Sequence, residues 1–405
     1  MFVKRNNIYR YIIVILLIFP SSVLFAQRKE ISEARTNIKK GVNLEQAEST
    51  MRTLLKDSTN FRNKKIWLTL FDAVKKQYEQ LNEKLYLKQQ SDTAKFFSNT
   101  LHMFNVLESL DSVDALPDNK GVIEPKYRKS HASFLDRYRA NLFNGGAYYV
   151  NKQKFDEAYK FFDAYIACAQ QPLFTEYFYE TKDSRIPEAA YWAVFCGYKM
   201  GNTNIIDKYT SLALRDKSRE VYMLQYIAES YLQKGDTANY TKTLETAFDK
   251  YPEHAYFFPH LAIVYINNGK YNEILDFSDK VLRLDSNNTS AFVVKSEAYL
   301  KLGMYDKCVA ASDSVISLGV DVPAVYLNAG LAYYNQSLPI TQKKILSKKD
   351  RSDRVDLYKR ALPYFEKYRT LAPDDKAKWG KPLYDIYLNL NMGDEFEEIE
   401  QALQK

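Results

Sequence analysis

Four glycines, Gly201, Gly235, Gly269 and Gly303, stand 34 residues apart. Tyr231, Tyr265, Tyr299 and Tyr333 keep the same spacing, as do the small residues Ala228, Ala262, Ser296 and Gly330. Three columns on one period, within the range of roughly 20 to 50 residues, mark stacked units, each too small to bury its apolar face alone.

The unit 221–254 shows what each column does. Val221 to Leu232 carries apolar residues at helical spacing. Lys234-Gly235-Asp236 interrupts it, and glycine takes a left-handed cap conformation at little cost. A second helix is expected over about 237–250, stopped by Tyr251-Pro252. Small Ala228 lets the two helices approach, while Tyr231, Leu244 and Ala247 fill the seam. Composition agrees: 46% of the 405 residues are apolar, with 33 tyrosines but only 13 glycines and 12 prolines. That is enough for a large core and too few breakers for a turn-rich sandwich.

These columns resemble the tetratricopeptide repeat (TPR) pattern, in which a small residue and a tyrosine in the first helix are followed by a turn glycine, then alanines and a proline in and after the second. Leu224, Ile227, Ala228, Tyr231, Gly235, Leu244, Ala247 and Pro252 match it; Tyr240 departs, since a small residue is usual there, so that pair is expected to sit slightly apart. Residues 139–172 fit without the turn glycine, through Gly146, Tyr149, Ala158, Phe162 and Pro172. Tyr326, Gly330 and Tyr333 open a later unit whose second helix resumes at Ala361, Phe365 and Tyr368, after a segment about 19 residues longer than the pattern. Trp379, Tyr384, Leu388, Gly393 and Phe396 make a terminal pair. The fold implied is all-α, a right-handed superhelical solenoid of antiparallel helix pairs over 139–405, with an inserted segment at about 335–355. Residues 27–138 read as degenerate repeats or a cap, with amphipathic faces at Leu44–Leu55, Ile66–Tyr78 and Ala94–Leu107; 110–128 reads as a loop.

Residues 1–26 stand apart. Lys4, Arg5 and Arg10 precede the apolar run Tyr11 to Phe19, then Pro20-Ser21-Ser22 and Val23-Leu24-Phe25-Ala26. This is a secretory signal with cleavage expected after Ala26; an uncleaved anchor is the alternative. The Phe25-Ala26-Gln27 exit resembles that of exported Bacteroidota proteins, which places the chain in the periplasm or at the outer-membrane periphery, with no integral membrane domain once the signal is removed. Without Lys4, Arg5 and Arg10, the 57 basic residues fall to 54 against 50 acidic ones, a net charge of +4. So mild a balance does not suggest nucleic acid.

In TPR-like proteins the first helix of each pair lines the concave face. The resemblance carries that role onto Tyr191, Phe195, Tyr198, Tyr222, Gln225, Glu229, Tyr256, Ile263, Ile266, Val293, Glu297, Leu327, Leu331 and Tyr334. Such an aromatic and aliphatic face is either a groove for a partner protein or a self-packed seam. The Lys, Arg and Asn clamp with which some TPR modules grip a terminal carboxylate is missing, because Gln225, Glu229, Pro259 and Ile263 occupy its positions. Lys343, Lys344, Lys348, Lys349, Arg351 and Arg354 form a basic segment in the insert. It reads as a docking loop for an acidic partner or anionic surface, or as a solvated loop or a long extension of both helices.

Chemistry is sparse. His102, His131, His254 and His260 lack metal-ligand spacing, and no phosphate-cradling loop or nucleophile motif occurs. No cofactor is implied. Cys168, Cys196 and Cys308 read as small buried hydrophobes. Asn287-Asn288-Thr289-Ser290, formally a glycosylation match, reads better as a turn and helix cap. Asp92-Thr93 and Asp236-Thr237 resemble Bacteroidota O-glycosylation acceptors, but Asp-Thr also begins helices. The expected function is a non-catalytic protein-binding scaffold of the cell envelope. The alternative is a glycan- or peptide-binding module of an outer-membrane nutrient-uptake system.

Overall fold

The computed structural model describes residues 27–118 and 120–404, so the expected signal at 1–26 lies outside the described residues. Two compact units divide the chain, one ending at Tyr226 and the other beginning at Ile227. Each is an all-α stack of antiparallel helix pairs.

The first unit opens with helix α1 over 27–40, followed by α2 (Leu44–Leu55), α3 (Lys64–Tyr86), α4 (Thr93–Asp114), α5 (Arg128–Asp136), α6 (Arg139–Asn151), α7 (Phe155–Ala167), the short α8 (Tyr179–Lys182), α9 (Ile186–Met200) and α10 (Thr203–Ala213). The expected loop at 110–128 is shorter than its sequence suggests. Helix α4 continues to Asp114 because Asp111 and Asp114, both buried, have partners. Arg128 grips Asp111 with two nitrogens, and Asp114 accepts from Lys64 Nζ and the Tyr127 amide. Charge-assisted bonds of this kind keep an acidic pair inside a helix that apolar pattern alone would end.

Residues 168–185 are a run of 3-10 turns and α8. One guanidinium fastens them. Arg139 lies between the rings of Tyr165 and Tyr179, 3.8 and 3.9 Å from their centroids. It ion-pairs with Asp183 and donates to the Tyr165 carbonyl at 3.0 Å.

The second unit takes over within α11 (Glu220–Gln233). It continues with α12 (Thr237–Lys250), α13 (Phe257–Asn267), α14 (Tyr271–Leu284), α15 (Thr289–Lys301), α16 (Tyr305–Ser317), α17 (Pro323–Thr341), α18 (Lys348–Leu371), α19 (Lys376–Leu390) and α20 (Gly393–Gln404). From α12 onward each helix touches the next, and α13, α15, α17 and α19 also touch in series. Pairs therefore stack on their first helices. Val325, Tyr326, Tyr358, Phe365, Trp379 and Leu383 share one core.

The periodic columns have physical roles. Gly201, Gly235, Gly269 and Gly303 all sit at φ between 64° and 71°, the left-handed region. Gln153 and Asn391 take that conformation in two other pairs, so the α6–α7 and α19–α20 turns manage without the glycine. The small column works by close approach. A Cβ on Gly330 would meet the Phe365 ring at 3.0 Å, where α17 packs on α18. One on Gly146 would meet Phe162 at 2.6 Å. The expected caps are also present: Asn288 accepts from the Ala291 amide at 3.0 Å, Asp92 from Lys95 and Asp236 from Asn239.

These two kinds of glycine should fail differently. Gly146→Ala should destabilise by about 1–3 kcal/mol through overpacking. Gly235→Ala should cost roughly 1–2 kcal/mol through backbone strain alone, and Gly235→Asn should recover part of it because asparagine tolerates the left-handed region. Denaturant titration of the three variants checks both statements.

Burial also sets a pH response. Burial alone pushes the Glu108 carboxyl from 4.5 up to about 7. The folded chain thus holds this proton while the unfolded chain releases it, so stability should fall as pH rises from about 4.5 to about 7. Glu108→Gln should remove that part of the slope, which melting curves across the window would show.

Candidate functional site

The structure distributes the expected first-helix face unevenly in each unit. In the first unit, Tyr191 is corrected from surface to interior: it is buried, with its ring 6.2 Å from that of Tyr226. Phe195 is half-buried against Trp192, Phe155 and Tyr226. Tyr198 stacks on Tyr226 at 4.6 Å, and Lys199 lies over Phe195 and Tyr198. Aromatic side chains at one helical face have found each other, as the self-packed alternative requires. Gln225 is half-buried, and Tyr222 is exposed.

In the second unit, Val293, Leu327 and Leu331 pack half-buried against the core, and Glu297 is half-buried. Tyr334 also joins the core, its hydroxyl donating to Asp385 at 2.6 Å and its ring near Tyr358. Tyr256 donates to Glu229 at 2.7 Å, so a residue expected to meet a partner is tied down inside the fold. Burial first, then Glu229, raises the Tyr256 hydroxyl's pKa. Ile266 is half-buried, while Ile263 stands out at 59% exposure.

Ile263 is open because it borders a groove of about 1210 Å³. The end of α11, the N-terminal half of α12 and the C-terminal half of α13 form its walls. Leu232, Ile263 and Val264 give an apolar stripe; Lys242, Glu245, His260, Asn267, Asn268 and Lys270 give polar edges. Tyr240, buried at one wall, is the residue that departs from the repeat pattern. A large ring thus lines the groove at a position where the repeat pattern sets a small side chain. His260 lies 3.9 Å from Tyr256, ring over ring, and its Nδ1 sits 2.6 Å from the Tyr256 carbonyl oxygen. With Nδ1 donating there, Nε2 is the acceptor of the neutral ring. Glu245 accepts from the Tyr265 hydroxyl, and Lys270 lies over the same ring. The groove can hold an apolar side chain on its stripe and hydrogen-bond the backbone around it. First-helix positions alone miss Tyr240, Lys242 and Lys270; the irregular Tyr240 is the signal that points to them.

The 335–355 segment takes the last of its readings, an extension of both helices: α17 runs on to Thr341, α18 begins at Lys348, and only 342–347 connect them. Lys343 and Lys344 lie in that connection; Lys348, Lys349, Arg351 and Arg354 lie on α18.

Among the described residues no group of three or more His, Cys, Asp or Glu side chains could hold a metal ion. Nor is any helix there long and apolar enough to cross a membrane. Cys168, Cys196 and Cys308 are free and buried. Burial pushes the thiols of Cys196 and Cys308 up to about 12, far from the reactive thiolate.

Helix pairs on a 34-residue period, left-handed turn glycines and a small column facing aromatic rings decide the architecture. The fold is that of tetratricopeptide repeats. Similar solved structures include the C-terminal part of a TPR repeat-containing protein from Cytophaga hutchinsonii, at 16% identity and a TM-score of 0.43 over 65% of this chain and 92% of that one. A tetratricopeptide repeat protein from Parabacteroides merdae is 15% identical, with a TM-score of 0.39 over 63% of this chain and 98% of its own. No family model and no curated protein matches this chain.

Tyr240 is buried, so its loss should be costly although the residue borders a cavity. Tyr240→Ala should lower stability by about 3 kcal/mol, as for other buried aromatics, and urea titration reads the change.

Proposed function

We propose that this chain is a non-catalytic scaffold of the cell envelope that holds a partner protein in the groove beside α13. The carrying observation is the exposure of Ile263 at 59% and Leu232 at 45% on the apolar stripe of one groove. Elsewhere on the expected face Tyr191, Tyr198, Tyr256 and Tyr334 are engaged by other side chains of the fold, whereas these two large aliphatic residues are open to water. Apolar anchors in a cleft with polar rims are how helical-repeat folds take a segment of another chain. The basic, apolar and small-residue succession in residues 1–26 supports export to the periplasm or the outer-membrane periphery of a Bacteroidota-type cell.

Capture from envelope extracts, wild type against Leu232→Asp/Ile263→Asp, tests this reading. Both positions are exposed, so the substitutions should leave folding intact. Recovery of the partner should fall at least about tenfold, the loss of a modest interface anchor. Equal recovery with both baits would move the site elsewhere. Binding of a soluble glycan in place of any protein would replace the scaffold with an uptake module.

A further inference from the structure

The α17–α18 apex has features that the scaffold reading does not use. Helix α17 starts at the same repeat position as α15 but runs six residues further, to Thr341 where the repeat equivalent of Lys301 is Asn335. At about 1.5 Å per residue the pair extends roughly 9 Å beyond an ordinary one. Its tip reads Lys343-Lys344-Ile345-Leu346-Ser347-Lys348-Lys349. Ile345 is 87% exposed, and a pair of lysines flanks the aliphatic dipeptide on each side. Residues 343–354 hold six basic and two acidic side chains, a net +4, which equals the balance of the whole chain after residue 26.

The internal pairing leaves most of this charge unspent. Lys343 pairs with Asp350, and Asp350 also closes the Ser347 capping box. Lys344, Lys348, Lys349 and Arg351 make no ion pair among the described residues. Three of these four stand in the first turn of α18, where the helix dipole disfavours positive charge. A sequence that accepts such a local cost with no gain inside the molecule points outward.

We propose that this apex docks on an anionic lipid surface. The shape is a projecting tip, suited to a broad plane and not to filling a pocket. Lysine stems can lie along the interface with their ammonium groups at lipid phosphates, while Ile345 enters the boundary of headgroup and acyl chain. The segment has no aromatic residue to stack on a base, which disfavours a nucleic acid. This surface is separate from the α13 groove, so each can fail without the other.

Co-sedimentation of the full chain with vesicles tests it. Vesicles of phosphatidylcholine alone are compared with equimolar phosphatidylcholine and phosphatidylglycerol, at low and high salt. Wild type should prefer the anionic vesicles at least about tenfold, and salt should erode that preference. Lys344→Glu/Lys348→Glu/Lys349→Glu should abolish it. That variant keeps the Lys343–Asp350 pair and the capping box, and its new acids suit a helix N-terminus, so an unchanged melting curve is expected. Residues 1–26 are common to both chains and cancel in the comparison. Ile345→Ser should weaken binding while leaving the lipid preference. Equal binding of wild type to both vesicles, or an undiminished preference in the triple variant, overturns the proposal. So does indifference to vesicles combined with binding to polyglutamate or duplex DNA, which would assign the apex to an acidic protein or a nucleic acid.

Discussion

Close approach within each helix pair is the constraint on which the rest depends. At Gly145, Gly146, Gly197 and Gly330 an added Cβ would strike Phe161, Phe162, Ile205 and Phe365 at 3.0 Å or less. A ring seated directly on a partner helix buries its whole face. It also fixes the register of the pair, because only one turn of the facing helix lacks a side chain. With registers fixed, first helices stack in series and each unit acquires a continuous core from elements that have none alone.

The same constraint explains where the chain is irregular. Tyr240 occupies a position suited to a small residue and lines an open groove, so departure from the pattern and a groove of about 1210 Å³ coincide. The insert obeys the opposite logic. Phe365 still seats on Gly330, and the surplus residues lengthen both helices.

Much of the fold was legible in the columns. Turn glycines, caps at Asn288 and Asp236, and the α12 boundaries at 237 and 250 all follow from local chemistry within a few residues. The end of α4 was not, because Asp111 and Asp114 are held by Arg128 and Lys64, which are distant in sequence. The site was legible only in part. Periodicity says which side of a helix a residue occupies but not whether another ring waits there. Tyr191 and Tyr334 therefore turned inward while Ile263 stayed open. Nor does helical spacing reveal that a charged run continues two helices, since lysine and arginine fit a helix as well as a loop.

Arg139 gives the 168–185 segment a different kind of cohesion. Ordinary repeats are held by many small contacts and can fray turn by turn. Here the Tyr165 and Tyr179 rings, the Asp183 carboxylate and a main-chain carbonyl all converge on one buried guanidinium. Losing that group would leave Asp183 without its countercharge and the two rings without the cation between them. The segment should therefore open as a single event. In hydrogen exchange its amides would share one protection level, a cooperative block set among repeats that exchange in gradations.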